Sequence, residues 1–366
     1  MKELHLGETI AQKRREKGIT QEALASYLGV SKPAVSKWES GQSYPDITLL
    51  PVIASYFDMT VDALMSYRPQ LSQEEISDLY HRLAEDFSEK SFNEVLSACR
   101  QYIKRYASCW KLQYNMALLL LNHASLAPEP LNLIKEAEGI FLRIEKESGD
   151  AALMQQCLPM EAACAISLGE PEKAIRLLDS LPPPPMPLET LVAQAYQMQG
   201  EAQKAVALLQ GGIYKNILGL INAGAHLIGL YAQNAVKMEE CYQLLLETAK
   251  IFDLASMHPA ALLSTHLAAA QGYMGQGNPE KALYALEHYV QIACKEDLFP
   301  MKLKGSSFLD QLHPLFESMD LKENAPRGDQ SIRQGFRDAV LKNPAFKPLE
   351  KEFRFTCILQ KLAQSL

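Results

Sequence analysis

The sequence predicts an all-α protein: an N-terminal region built around two short helices in 20–45, a linker over 67–75 and an α-solenoid of paired helices over 76–366. Three observations carry this prediction. Apolar residues recur at i, i+3 and i+4 along most of the chain, and no stretch shows convincing strand alternation. The segment 20–45, TQEALASYLGVSKPAVSKWESGQSYP, spaces caps, turn glycines and inward residues as two short helices on a tight turn need them. A short phrase also recurs, as GEPEKA from Gly169, GEAQKA from Gly200 and GNPEKA from Gly277.

Segment 20–45 reads in order. Thr20 is a good N-cap, and Glu22 lies in a first turn, where the helix dipole favours an acid. Leu24 and Leu28 share one face, and Ala25 stands where a second helix must cross closely. Gly29 ends the helix at a position suited to positive φ. Ser31 is expected to cap the next helix, with Pro33 in its first turn, where a missing N–H costs nothing. Val35 and Trp38 point to the core. That leaves Lys32, Pro33, Ser36 and Lys37 outside, and Gly41 closes the helix.

This pattern resembles the Cro and phage-repressor type of helix-turn-helix, the XRE family. The matching residues are Gln21, Leu24-Ala25, Leu28-Gly29-Val30-Ser31, Val35-Ser36-Lys37-Trp38-Glu39, Gly41 and Pro45-Asp46. The resemblance covers about residues 4–66, with the helix-turn-helix at 21–40. It implies a first helix over 6–17 with Leu6 and Ile10 inward, a fourth over 46–57 and a fifth over 60–65 capped by Thr60. It implies that helix 31–39 enters the DNA major groove. Lys32, Pro33, Ser36 and Lys37 would then face base edges or phosphates, beside Ser31. Gln21 would hold one phosphate, and the backbone and side chains of Gln42 and Ser43 another. Arg14 and Glu39 match the family's structural ion pair. Pro33 departs from the pattern, standing where a hydrogen-bonding side chain is usual, so readout there is reduced to apolar contact such as with a thymine methyl. Asp58 replaces a customary glycine, at a place Asp tolerates through its access to the left-handed region.

The chain's net charge of −7 lies entirely beyond residue 69, because residues 1–69 hold eight basic and eight acidic side chains. An acidic body repels DNA, so binding must rest on a local basic face: Lys13, Arg14, Arg15, Lys17, Lys32 and Lys37. Strong salt dependence follows. Residues 2–18 have no apolar core of a secretory leader, and the longest apolar run, 116–121, is too short to cross a bilayer. A cytoplasmic location away from membranes is expected. The seven cysteines have no CxxC spacing, and Cys157 and Cys164, on one helix, are too far apart to bond, so reduced buried thiols are expected.

In the body, helical periodicity runs through 71–87, 92–106, 110–122, 131–146 and 151–168 and on to the end. Breaks fall at Pro128/Pro130, at 181–187, at 275–279 and at 323–329; the prolines 182–185 read as a stiff connector. Aligned on the repeat glycines, Ala162, Ala193 and Ala270 stand seven earlier. Ala174, Ala205 and Ala282 stand five later, and Leu178, Leu209 and Leu286 nine later. This resembles the tetratricopeptide repeat, in which two helices meet through small residues. The 77 residues between the last two glycines leave room for a degenerate unit around 226–252, with Cys241 in the small-residue place. Stacked pairs would form a curved array, closed by capping helices over 298–366.

No catalytic spacing, metal-ligand cluster or cofactor motif is present. His258 and His266, eight apart, read as satisfied or solvent-facing, and most of the body's tyrosines as core. The expected function is therefore non-enzymatic: a sequence-specific regulator binding double-stranded DNA as a homodimer. Its repeats would dimerise or hold a peptide, small-molecule or protein effector. The alternative is a repeat-based protein-interaction adaptor with secondary DNA binding.

Overall fold

A computed structural model describes residues 6–65, 70–179, 181 and 188–365. Their regular structure is helical, with a single isolated β-bridge, Lys302–Asn324, and no strand among them. The chain divides into two compact units, 1–72 with 106–109, and 73–105 with 110–366.

The first unit contains α1 (Leu6–Glu16), α2 (Gln21–Leu28), α3 (Lys32–Glu39), α4 (Leu50–Tyr56) and α5 (Val61–Leu64). Local chemistry sets these boundaries. Thr20 Oγ1 accepts the Ala23 N–H at 3.1 Å, and Thr60 Oγ1 accepts that of Ala63 at 3.1 Å. Gly29 has φ of 67°, which lets the Val30 N–H return to the Ala25 carbonyl at 3.0 Å. Asp58 does enter the left-handed region, with φ of 53°. Leu6, Ile10, Leu24, Leu28, Val35, Trp38, Ile53 and Leu64 form one core. Gly7 is obligatory there, since a Cβ would stand 2.0 Å from the Trp38 carbonyl oxygen. Two expectations need correcting. The fourth helix begins as a 3-10 turn, Ile47–Leu49, because the Asp46 carboxylate caps the Thr48 N–H at 2.9 Å. Ser31 occupies the N-cap position of α3, but its side chain makes no capping bond. The residue at N2 is Pro33, which has no N–H, and the next N–H, of Ala34, goes to the Ser31 carbonyl at 3.0 Å.

The second unit is built from helix pairs. It opens with α6 (Gln73–Glu89), α7 (Phe92–Arg105), α8 (Trp110–Asn122), α9 (Pro130–Glu147), α10 (Ala151–Ser167) and α11 (Pro171–Asp179). It continues with α12 (Glu189–Met198), α13 (Ala202–Leu230), α14 (Ala235–Ile251), α15 (Leu254–Met257), α16 (Pro259–Gly275) and α17 (Pro279–Ala293). The last helices are α18 (His313–Glu317), α19 (Asp329–Leu341) and α20 (Phe353–Ser365). The expected linker is shorter than 67–75: residues 66–69 lie outside the described residues, and 73–75 already form the first turn of α6, whose Glu74 and Glu75 suit a helix N-terminus. The prolines 182–185 also lie outside the described residues.

The repeat glycines Gly169, Gly200 and Gly277 all turn through the left-handed region, with φ of 78°, 77° and 70°. The paired alanines are buried in all three units. The later leucine is buried only in the third: Leu178 and Leu209 are exposed, Leu286 is not. The degenerate unit differs more. No turn separates its first helix from the second repeat, and the two merge into α13, 29 residues long. Cys241 does take the small-residue place, its Sγ lying 3.5 Å from the Gly224 carbonyl oxygen. A Cβ on Gly224 would meet Leu245 at 2.5 Å, so this helix pair closes on glycine.

The C-terminal region only partly behaves as an end cap. α20 does pack on α17, where Arg354 bonds Glu287 and Glu280. The irregular stretch before α19, however, runs back to the body's first helix. Tyr80 donates to the Pro326 carbonyl at 3.1 Å, Gln73 to Asp320 at 2.8 Å, and Gly328 packs on the Ala84 backbone. The body thus closes its last elements onto its first. Hydrophobic periodicity carries no signal for such a loop-mediated return.

Candidate nucleic-acid interface

The candidate site is the outer side of α3. Its inner side is fixed by Val35 and Trp38, both buried. A bidentate ion pair anchors its C-terminal end: Arg14 Nε to Glu39 Oε1 at 2.6 Å and Nη2 to Oε2 at 3.0 Å. The Arg14 Nη1 also donates to the Ile19 carbonyl at 2.7 Å. Burial alone would raise the Glu39 carboxyl, but hydrogen bonds from Arg14 and Gln21 outweigh it and hold it below the ordinary carboxylate range. The same bond raises Arg14. This couple orients α3 against α1 and has no proton to exchange near neutrality.

Gln21 joins the network, its Nε2 donating to Glu39 Oε2 at 2.9 Å. One N–H of that amide remains to meet a phosphate. Lys32, Pro33, Ser36 and Lys37 are all exposed along α3, and Ser31 is exposed at its N-terminus with its hydroxyl uncommitted to a cap. Lys32 stands 3.5 Å from Glu22, a partner on the preceding helix that no sequence spacing reveals. An exposed pair at that distance is weak and readily exchanged for a phosphate. Gln42 and Ser43 follow α3, but both backbone N–H groups already donate to the Lys37 carbonyl, at 2.9 and 3.3 Å. Only their side chains are left for a phosphate, which corrects the expectation of a backbone contact.

The basic face is narrower than its sequence. Arg14 is committed to Glu39, Lys13 pairs with Glu16 at 2.7 Å, and Lys17 donates to the Tyr56 carbonyl while lying over that ring. The exposed cations Arg15, Lys32 and Lys37 carry the rest.

The Cys99, Cys157 and Cys164 thiols are pushed up to about 12 by burial. His266 shares a 2.7 Å hydrogen bond with the Tyr242 hydroxyl, and His258 sits at the N-cap of α16 rather than on its face. Among the described residues no His, Cys, Asp and Glu cluster could hold a metal ion, and no helix is long and apolar enough to cross a membrane. A cavity of about 440 Å³ lies between α6 and the returning stretch, lined by His81, Glu85, Ser88, Lys302, Asn324 and Arg327 among others.

Residues 10–64 match the family model described as helix-turn-helix. Over 63 residues the chain is 44% identical to the HTH-type transcriptional activator BcrR of Enterococcus faecalis. That stretch is 17% of this chain and 31% of BcrR, so the chain spans about a third of the relative it matches. A crystal structure of Bacillus thuringiensis PlcR, in complex with the peptide PapR7 and DNA, aligns over 99% of this chain and 94% of that one. The identity is 14% and the TM-score 0.27, too loose a superposition to carry an argument. By the family match and the helix pattern together, this chain carries an N-terminal helix-turn-helix domain of the Cro and phage-repressor (XRE) type, followed by an all-α body of tetratricopeptide-like helix pairs.

Proposed function

We propose that this chain is a sequence-specific DNA-binding transcriptional regulator whose body dimerises and takes an effector. One observation carries the reading. The inner side of α3 is locked by Trp38 and the Arg14–Glu39–Gln21 network, while its outer side presents Lys32, Pro33, Ser36 and Lys37 to solvent. A helix held rigidly on one side and bare on the other suits insertion into a major groove. In this reading Lys37, Ser31, Gln21 and the side chains of Gln42 and Ser43 hold phosphates, and Lys32, Pro33 and Ser36 meet base edges. So small a surface reads few base pairs, so two copies on a near-palindrome, one helical turn apart, supply the remaining affinity. The cavity beside α6 has the size of a small-molecule site and is where an effector would sit.

Selection of bound sites from random DNA tests the reading. A single enriched motif is expected. Lys37→Ala should weaken binding to every sequence and lower the salt slope by about one. Lys32→Ala or Ser36→Ala should instead change preference at one position, by about 1–3 kcal/mol. No enrichment, or full sequence-selected binding by Lys37→Ala, would leave the adaptor alternative in its place.

A further inference from the structure

We infer that the outer face of α13 is a self-association seam, against which a second copy of this chain packs the same helix. The inference rests on the dimeric reading above and names its surface.

α13 is the longest helix among the described residues, about 44 Å at 1.5 Å per residue. One face is spent inside the body, through Tyr214, Ile217, Ile221, Gly224 and Ile228. Beside it runs a second apolar face that the described residues leave exposed. Val206, Ile213, Leu220 and Leu227 are spaced by seven, and all are exposed. Three residues after each stand Leu209, Asn216, Ala223 and Leu230, also exposed. These are four consecutive heptads with their first and fourth positions on the surface, the spacing by which two helices interlock side chains along a common seam.

Charge supports the same conclusion. An outward helix face in water normally carries charged side chains. Between Lys204 and Lys237 the chain has one, Lys215. The six large apolar side chains of the seam are between 36% and 78% exposed. Together they make a patch of several hundred Å², larger than scattered surface apolar residues account for. Gly219 and Ala223 lie exposed alongside, and no atom stands within 4 Å of where a Gly219 Cβ would be, so a second backbone can approach closely.

The occupant is argued from the pattern. A heptad seam needs an equivalent seam opposite it, and a two-fold axis supplies one from an identical chain. Antiparallel pairing about residue 218 sets each first position against a fourth: Val206 on Leu230, Ile213 on Ala223, Leu220 on Asn216, Leu227 on Leu209. Seven turns of helix with flanking residues reach the size of a standard interface, about 800 Å² per partner. The missing turn between the second repeat and the degenerate unit gains a reason here, since a break would halve the seam.

Light scattering on the full chain at micromolar concentration tests this. The wild type should be dimeric. Leu220→Glu combined with Leu227→Glu should be monomeric, its dissociation constant raised at least a hundredfold, with unchanged helical circular dichroism. Ala223→Arg, at an exposed small residue, should do the same should the double variant misfold. Ile175→Glu, at an exposed apolar residue of α11, should remain dimeric. A folded seam variant that stays dimeric overturns the seam and leaves the dimeric reading standing. A monomeric wild type, with and without its selected DNA, overturns both.

Discussion

In the helix-turn-helix domain, helix ends and helix angles are held by polar side chains. Thr20, Asp46 and Thr60 cap, and Arg14, Glu39 and Gln21 lock α1, α2 and α3 together. In the body helix ends are capped in the same way, by Asp150, Asn234 and Asn278, but several helix crossings are set by missing side chains. Gly224 admits Leu245, Gly272 admits Met238, and alanines line the repeat crossings. The polar groups that the body does bury are mostly uncharged amides and hydroxyls, with three titratable ones among them, His123, His266 and Glu161. The crossing of α1, α2 and α3 therefore depends on charge that stays charged, and several crossings of the body on side chains that are absent.

Acid should separate the two most strongly. Burial lowers both His123 and His266 from 6.5 to about 4. The unfolded chain takes up those protons first, so stability is lost as pH falls below about 6.5, by close to 2.5 kcal/mol per histidine at pH 4.5. His81 and His258, lowered chiefly by burial, act in the same direction. Glu161 opposes them: burial raises it to about 7, so its contribution is present below the unfolded value and lost as pH rises. Between pH 7 and 4.5 the body should lose stability, and should lose more in Glu161→Gln, where the counterweight is gone. Hydrogen exchange in body peptides should rise accordingly while peptides of 6–65 keep their protection. Equal loss in both would erase the distinction. The next effect is steric. Gly224→Leu should cost the body up to about 3 kcal/mol, because Leu245 already fills the space, and thermal unfolding checks it.

The same difference decides what could be read from the sequence. In the domain, each helix boundary is set by residues close in sequence, a cap two or three before its N–H and a turn glycine one past its helix, while Arg14 and Glu39, 25 apart, were legible only through the family resemblance. All five helices were therefore legible, as were Trp38 in the core and the position of Asp58. What was not legible depends on a neighbour's chemistry. Ser31 loses its capping bond because Pro33 follows, and the Gln42 and Ser43 amides are claimed by the Lys37 carbonyl. In the body the pairs α10–α11 and α16–α17 announce themselves by Gly169 and Gly277. The continuity of α13 and the return of 300–328 to α6 depend on contacts up to 247 residues apart, such as Gln73 with Asp320. Local pattern contains no trace of these.

Within the domain the ion pair should matter next. The Glu39 carboxylate is almost wholly enclosed, and removing its charge leaves Arg14 without its counterion. Glu39→Gln should cost about 2 kcal/mol at pH 7. Because the folded value lies below the unfolded one, the wild-type contribution is complete above about pH 4.5 and lost only as pH falls further. The wild-type and Glu39→Gln denaturation curves should therefore converge below pH 4, after the body's histidines have already titrated.

The smallest expected effect is the most discriminating test of the domain's caps. Thr20 and Ser31 hold the same position before successive helices, and propensity favours the serine slightly. Thr20 makes its bond to Ala23, whereas Ser31 makes none. Thr20→Ala should cost about 1 kcal/mol in chemical denaturation, and Ser31→Ala should stay within about 0.5 kcal/mol. On selected DNA the order should reverse, because the Ser31 hydroxyl, released from capping, is the one free to reach a phosphate. Equal losses of stability would mean that Ser31 caps α3 in solution and that its hydroxyl is withdrawn from the groove.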